Sequence, residues 1–361
     1  MSRYKKILHI VEAFGGGVFT YLVDLVNATD REFDIVIAYG IREETFENFE
    51  KYFSNRVKFI QIKNFTRGIN PIKDLKALLE IRKVVKSEKP DIVHLHSSKA
   101  GFLGRFAVSS TKYKILYNPH GYSFLMKDCS TLKRKIYWLL EKIGTIKKCT
   151  IVACSQGEYE ETLKLTSNAI CINNGININK LKNDTKELKE KQINLSDIKI
   201  CTVGRIGYQK NPELFDKIAT KLPNTEFTWI GDGELKENLT STNIKITGWK
   251  ERKEVLEELN KNDIFILTSL WEGLPISLLE AMYMKKICIV SNVLGNRDVI
   301  KNAENGFVCN DEDEFIKTIG NIANNEYKYE EIQNNAYNDV LKHYNIDIMC
   351  KKYIELYKSE E

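Results

Sequence analysis

Residues 264–290 read IFILTSLWEGLPISLLEAMYMKKICIV. Ile264–Leu267 and Ile287–Val290 are short runs in which every residue is apolar, as in strands buried on both faces of a parallel sheet. Between them Gly273 and Pro275 interrupt regular structure, and Ile276–Met284 follows with helical length and an apolar majority. Strand, loop, helix and strand make one βαβ unit, whose strands run parallel with a right-handed crossover. The fold class is therefore α/β.

The same alternation continues in both directions. Upstream, Ile198–Val203, Glu226–Ile230 and Asn243–Thr247 read as strands, and Pro212–Leu222 and Lys253–Asn260 as helices; downstream, Asp311–Asn324 reads as a helix. The first half repeats the pattern with strands at Lys6–Val11, Phe33–Ala38, Val57–Ile62, Ile92–Leu95, Lys114–Asn118, Thr150–Ala153 and Ala169–Ile172. Helical stretches such as Phe19–Val26 and Ile72–Ser87 separate several of them. Lys182–Asp197 is polar and weakly patterned, as a linker would be. The expectation is two doubly wound, Rossmann-like domains facing a cleft, residues 1–181 and 198–343, joined by a linker at 182–197. The chain's 361 residues suit two cores. Residues 344–361 supply a last helix with no strand after it.

Composition excludes several classes. Hydrophobic residues are 43% and charged residues 29%, so wholesale disorder is not expected. No apolar run approaches the roughly 20 residues that span a bilayer. Ile7–Val11 already contains His9 and ends at Glu12, which is unlike a secretion signal. The eight cysteines are scattered without a C-x-x-C pair, so reduced thiols in a cytoplasmic protein are expected rather than a disulfide framework or zinc site. The net charge of +5 hides an asymmetry: residues 1–170 hold 28 basic and 18 acidic residues, while the remainder is net acidic. The halves should meet different partners.

Ligands of open α/β sheets bind where strands end and helices begin. Three such loops stand out. Gly15-Gly16-Gly17 follows the first strand; it permits close backbone approach of an anion, or is only a flexible turn. Gly204-Arg205 ends a strand, with Lys210-Asn211-Pro212 opening the next helix, Asn211 as N-cap and Pro212 at its first position. Two cations beside oriented N–H groups suit a diphosphate, although solvated surface charges look the same. In the third, Glu272 sits in the loop and Glu280 about a turn inside an apolar helix face, beside the N–H groups of Leu274, Ile276 and Ser277. Carboxylates for sugar hydroxyls thus lie next to amide donors for an anion.

E-G-x-P-x-x-x-x-E at 272–280 with G-R-x-x-x-x-K at 204–210 resembles the donor-site signature of family-4 glycosyltransferases of GT-B fold. Further matches are the glycine loop at 15–17, Asp91–Gly101, Pro119-His120-Gly121, Asn173-Asn174-Gly175-Ile176, Gly231-Asp232-Gly233, Thr247-Gly248-Trp249 and Asn305-Gly306-Phe307-Val308. The likeness is to bacterial enzymes assembling capsule, exopolysaccharide or O-antigen repeats. It implies that Arg205 and Lys210 hold the donor diphosphate, with Gly204 and Gly231 beside it. Glu280 would take the ribose hydroxyls and Glu272 the transferred sugar, while the backbone of Gly273, Leu274, Pro275, Ile276 and Ser277 contacts sugar and phosphate. Gly16 and Gly17 would close over the phosphate, His120 would lie near the reacting centre, and Ile246 would border the base. The resemblance also implies retention of anomeric configuration by front-face substitution, no cofactor or metal, and a final helix crossing back to the first domain. Positioning and stabilisation of the departing anion then carry the catalysis, without a base–nucleophile pair.

Other features are weaker. His94 and His96 are expected on opposite sides of their strand, so no metal pair forms and only His96 faces the cleft, on the acceptor side. Asp311-Glu312-Asp313 is expected to open a helix rather than bind metal. Residues 127–148 hold seven basic and two acidic residues, with Lys133, Arg134 and Trp138 on one candidate helix. That helix either lies on an anionic membrane or packs on the sheet with its lysines in water. The resulting expectation is a cytoplasmic, membrane-peripheral glycosyltransferase moving a sugar from a nucleoside diphosphate donor, UDP favoured, to a hydroxyl of a lipid-linked saccharide. A nucleotide-sugar 2-epimerase on the same fold and a non-catalytic nucleotide-sugar-binding subunit are the alternatives. Nucleic acid is not expected as a partner, because no aromatic–basic module is visible.

Overall fold

The computed structural model describes residues 4–12, 14–42, 45, 47–127, 129–188 and 193–359. The chain parts into two compact units, one of Met1–Leu125, Cys129–Asn174 and Ile346–Glu361, the other of Met126–Asp128 and Gly175–Asn345. The first contains β1 (Lys6–Val11), β2 (Asp34–Tyr39), β3 (Lys58–Gln61), β4 (Ile92–His96), β5 (Lys114–Asn118), β6 (Thr150–Ala153) and β7 (Ala169–Cys171). The second contains β8 (Lys199–Val203), β9 (Glu226–Ile230), β10 (Ile244–Ile246), β11 (Ile264–Leu267), β12 (Ile287–Ser291) and β13 (Phe307–Cys309).

Both sheets are parallel throughout, ordered β3-β2-β1-β4-β5-β6-β7 and β10-β9-β8-β11-β12-β13. In each, the winding direction reverses beside the first strand: between β1 and β4, and between β8 and β11. Such switch points splay the loops apart and are where doubly wound sheets bind ligands. The central strands are buried end to end, which explains their uninterrupted apolar reading.

In the first unit, helix Gly16–Thr29 packs Leu22, Leu25 and Val26 into one cluster with Met349, Tyr353 and Tyr357 of helix Ile346–Lys358. The final helix therefore belongs to the first unit. In the second, Phe215, Trp229 and Phe315 anchor the core. Helix Ser98–Ala107 and strand β13 escape the periodicity. Residues 182–184 finish helix Ile178–Asp184, so the stretch read as a linker begins as helix; residues 189–192 of it lie outside the described residues. Asp311 caps helix Glu312–Ala323, accepting from the Glu314 N–H at 3.0 Å. All eight cysteines are free thiols. Among the described residues, no helix is long and apolar enough to cross a membrane.

Candidate active site

The switch point of the second unit assembles most of the expected donor residues. Gly204 and Gly231, at the ends of β8 and β9, have φ of +146° and +145°, a region that favours glycine. A Cβ on Gly231 would run into the Gly204 carbonyl, which also accepts from the Trp229 indole N–H at 2.8 Å. From this pinch the chain passes through Arg205 to the short 3-10 turn Tyr208–Lys210, then to Asn211, whose side chain caps helix Pro212–Lys221. The end of β11 clamps that turn. The Thr268 hydroxyl donates to the Lys210 carbonyl at 2.8 Å, and the Leu270 N–H to the Gln209 carbonyl at 2.8 Å.

Lys210 and Glu272 are thereby brought together, Nζ to Oε1 at 2.7 Å. The buried Glu272 carboxylate also accepts from the Ser269 hydroxyl at 2.7 Å and from Gln209 Nε2 at 3.3 Å. Arg205 stands apart from this pair, with Nε 2.8 Å from Glu234 Oε2. Both cations expected to meet a diphosphate thus rest on carboxylates, contacts that a ligand's oxygens can replace. After Gly273, Pro275 caps helix Ile276–Tyr283, whose first N–H groups have no intrahelical acceptor. Gly295, with φ of +80°, lies so close to the Gly273 carbonyl that a side chain there would collide with it.

Glu280 is buried one turn inside this helix, as its position in the sequence implies. Its partner is Arg252, Nη2 to Oε1 at 2.6 Å, from the start of helix Arg252–Asn260. Burial pushes the Glu280 carboxyl up, against the opposing pull of Arg252 and Lys180. Sequence reasoning missed Arg252, because Lys250-Glu251-Arg252-Lys253 looks like an ordinary solvated helix start. Ile246 is half-buried at the end of β10, close to Gly248 with its φ of +76°.

The first unit's switch point is built from histidines. His94 and His96 were expected on opposite sides of β4, and the structure corrects this: their ring centroids are 4.2 Å apart. Strand side chains alternate with period two, so residues two apart share a face. His9, which pairs in register with His94 across β1 and β4, joins them. All three are completely buried, so His96 reaches its neighbours rather than solvent. His9 Nδ1 is 2.9 Å from His96 Nε2, and His96 Nδ1 is 3.1 Å from His120 Nε2. His94 bonds the Tyr357 hydroxyl through Nδ1 at 2.8 Å and Asn118 Oδ1 through Nε2 at 2.5 Å. Burial lowers the pKa of His9 and His96 well below the usual range, His94 to about 4 and His120 to about 3, so the cluster is neutral. One nitrogen from each of His9, His94 and His96 lies within 4.8 Å of the others, a spacing that could hold a metal ion. The hydrogen bonds above already engage those rings. Gly16 and Gly17 are exposed with open space around both, Gly16 at φ of +55°.

Helix Thr131–Gly144 settles how its two faces are used. Glu141 is buried and bridges Arg105 at 2.7 Å and the Tyr117 hydroxyl at 2.8 Å, while Gly144 lies against the Arg105 guanidinium. Arg134 donates from Nε to the Phe124 carbonyl at 3.0 Å. The inward edge is therefore polar. Leu132, Ile136, Leu139 and Ile143 form an exposed stripe, with Trp138 and Lys133 also exposed.

Comparison with known proteins agrees with this geometry. Residues 15–180 match the family described as Glycosyltransferase Family 4, and residues 183–339 that described as Glycosyl transferases group 1. The UDP-Gal:alpha-D-GlcNAc-diphosphoundecaprenol alpha-1,3-galactosyltransferase of Escherichia coli is 32% identical over 337 residues, 85% of each chain. The GalNAc-alpha-(1->4)-GalNAc-alpha-(1->3)-diNAcBac-PP-undecaprenol alpha-1,4-N-acetyl-D-galactosaminyltransferase of Campylobacter jejuni is 26% identical over 354 residues, 92% of each. HepE of Anabaena, solved with UDP and glucose, shares the fold with a TM-score of 0.77 at 16% identity, covering 99% of this chain and 100% of that one. The chain is a glycosyltransferase of family 4 with the GT-B fold, and its relatives build bacterial surface polysaccharides on lipid-diphosphate-linked sugars.

Proposed function

We propose that this glycosyltransferase moves a sugar from a UDP-sugar, with retention of configuration and without a bound metal, to a hydroxyl of a lipid-diphosphate-linked saccharide. It would work as a peripheral protein on the cytoplasmic face of an anionic membrane. The observation that carries the reading is the convergence of Lys210, Glu272 and the N-terminus of helix Ile276–Tyr283 at the β8–β11 switch point. A cation and oriented N–H groups there suit a departing nucleoside diphosphate, whose charge is what the reaction must stabilise. Arg205 would add the second cation and Glu280 would accept from the ribose hydroxyls. Glu272 would meet the transferred sugar once Lys210 turns to phosphate. The uncovered stripe Leu132–Ile136–Leu139–Ile143 beside basic residues supports the membrane contact.

The test is transfer from labelled UDP-galactose, the donor in the name of the Escherichia coli relative, to a panel of sugar-diphosphoundecaprenol acceptors in EDTA. Transfer should persist in EDTA. Glu280→Ala and Arg205→Ala should lower it by about 10²–10³-fold while both variants remain folded, Glu280→Ala at a lower unfolding midpoint because Arg252 loses its buried counter-charge. Full activity in both variants would sink the assignment. Conversion of the donor to an epimer with no acceptor present would replace it with the 2-epimerase reading.

A further inference from the structure

We infer that His9, His96 and His120 form one directional hydrogen-bond chain that fixes His120 with its proton on Nδ1, so that His120 meets substrate as a hydrogen-bond donor. This rests on the placement of His120 beside the reacting centre.

The two bonds of the chain share the His96 ring. A neutral imidazole carries one N–H and one lone pair, so His96 must donate at one end and accept at the other. Only two arrangements satisfy both bonds. In one, His9 Nδ1–H donates to His96 Nε2, His96 Nδ1–H donates to His120 Nε2, and His120 keeps its proton on Nδ1. In the other, every bond is reversed and His9 must carry its proton on Nε2. His9 Nε2 is completely buried and has no hydrogen-bond partner. The reversed chain therefore strands a buried N–H, whereas the first leaves only an unused lone pair. Orphaned buried donors are the rarer of the two in folded proteins, which selects the first arrangement.

His94 takes no part in the chain and is set independently. Asn118 Nδ2 donates to the Val152 carbonyl at 2.8 Å, which turns Asn118 Oδ1 toward His94 as an acceptor. His94 thus carries its proton on Nε2 and accepts from the Tyr357 hydroxyl on Nδ1. Neighbouring rings on one strand face hold opposite tautomers. At the outer end, His120 has φ of +54°. The next N–H, that of Gly121, donates to the buried carboxylate of Glu158 at 2.6 Å, which holds the turn. Backbone and chain together leave the Nδ1 side of the ring for a ligand. A His120 locked in this form offers a proton to a sugar or phosphate oxygen and has no free basic nitrogen with which to deprotonate the acceptor.

The chain has only five histidines, so tautomers can be read directly from the ¹⁵N-histidine-labelled protein by long-range proton–nitrogen correlation near pH 7. Three rings should show the Nδ1–H pattern and His94 the Nε2–H pattern, with the exposed His343 assigned through His343→Gln. An Nε2–H pattern at His120, or a cationic ring there, overturns the inference. In transfer assays, His9→Phe should lower kcat about tenfold with little change in donor KM. His9→Asn, whose amide nitrogen can stand where Nδ1 donates, should recover most of that loss. Equal impairment of both variants would show that His9 serves packing alone and would also overturn the inference. The spectra need no turnover, so a failure to transfer sugar would defeat the proposed function and leave the tautomer result standing.

Discussion

The two units bury polar groups in opposite ways. In the first, the switch point is a neutral cluster whose histidines bond each other and their neighbours, sealed from solvent except at His120. Elsewhere in the same unit, Arg105 and Glu141 pair at 2.7 Å with side chains 0% and 5% exposed. In the second, Lys210 and Glu272 pair at the same 2.7 Å, but the lysine is 17% exposed, and Arg205, paired with Glu234, is 30% exposed. Equal bond lengths conceal different jobs. Groups that satisfy one another inside the first unit fix shape, whereas the part-exposed cations at the strand ends of the second are the ones that, in the proposed function, would exchange carboxylates for a ligand's oxygens.

Acid should separate the units most strongly. A histidine held neutral by burial has a folded pKa below its unfolded value of about 6.5. Its contribution to stability is then complete above about pH 6.5 and is lost as pH falls toward the folded value. His94, at about 4, sets that window. His9, His94 and His96 are fully buried and shifted in the same direction. Together they should cost up to about 4 kcal/mol per pH unit below pH 6.5. Urea midpoints between pH 7.5 and 5 would show the slope, and hydrogen exchange should quicken in β1 and β4 before β8 and β11. A flat midpoint over that range would mean that the histidines are accessible to protons.

The ion pairs come next. Glu141→Ala leaves the Arg105 guanidinium buried without its counter-charge and should cost about 3–5 kcal/mol of stability. Transfer per folded molecule should change little. Lys210→Ala should do the reverse, lowering transfer about 10²–10³-fold, because it removes the cation proposed to stabilise the departing diphosphate. Its stability loss should be the smaller, since Ser269 and Gln209 still bond Glu272. A Lys210→Ala protein that unfolds readily yet turns over normally would reverse the contrast between the units.

How much of this was legible in the sequence depends on whether a residue's signal is local. The strands and the loop 272–280 are local patterns, and so were visible. Helix Ser98–Ala107 was not, because Gly101 and Gly104 weaken its helical reading. Both glycines answer to tertiary neighbours, the Tyr117 ring and the Leu95 side chain, which occupy the space a Cβ would need. Arg252 and His9 were missed for the same reason, since their partners are 28 and 87 residues away. The reading of His94 and His96 failed differently: strand periodicity was available and puts residues two apart on one face.

The smallest effect tests the surface on which the units also differ. Helix Ile276–Tyr283 buries Leu278, Leu279, Ala281 and Met282 in its own unit. Helix Thr131–Gly144 instead turns Leu132, Ile136, Leu139 and Ile143 outward and keeps Glu141 within. Three- and four-residue spacing makes those four a continuous ridge, and Lys133 and Lys135 lie on the same exposed helix. Such a helix gains from inserting leucines among lipid chains while its lysines meet anionic headgroups. Leu139→Glu should therefore weaken sedimentation with phosphatidylglycerol vesicles about tenfold, the loss of roughly one buried leucine. Stability should not fall, because an exposed leucine contributes little to the core. Parent binding should decline with salt, whereas the apolar share persists in neutral lipid at a lower level. If Leu139→Glu binds vesicles as the parent does, the ridge is not the membrane face, and the excess positive charge of the first unit needs another partner.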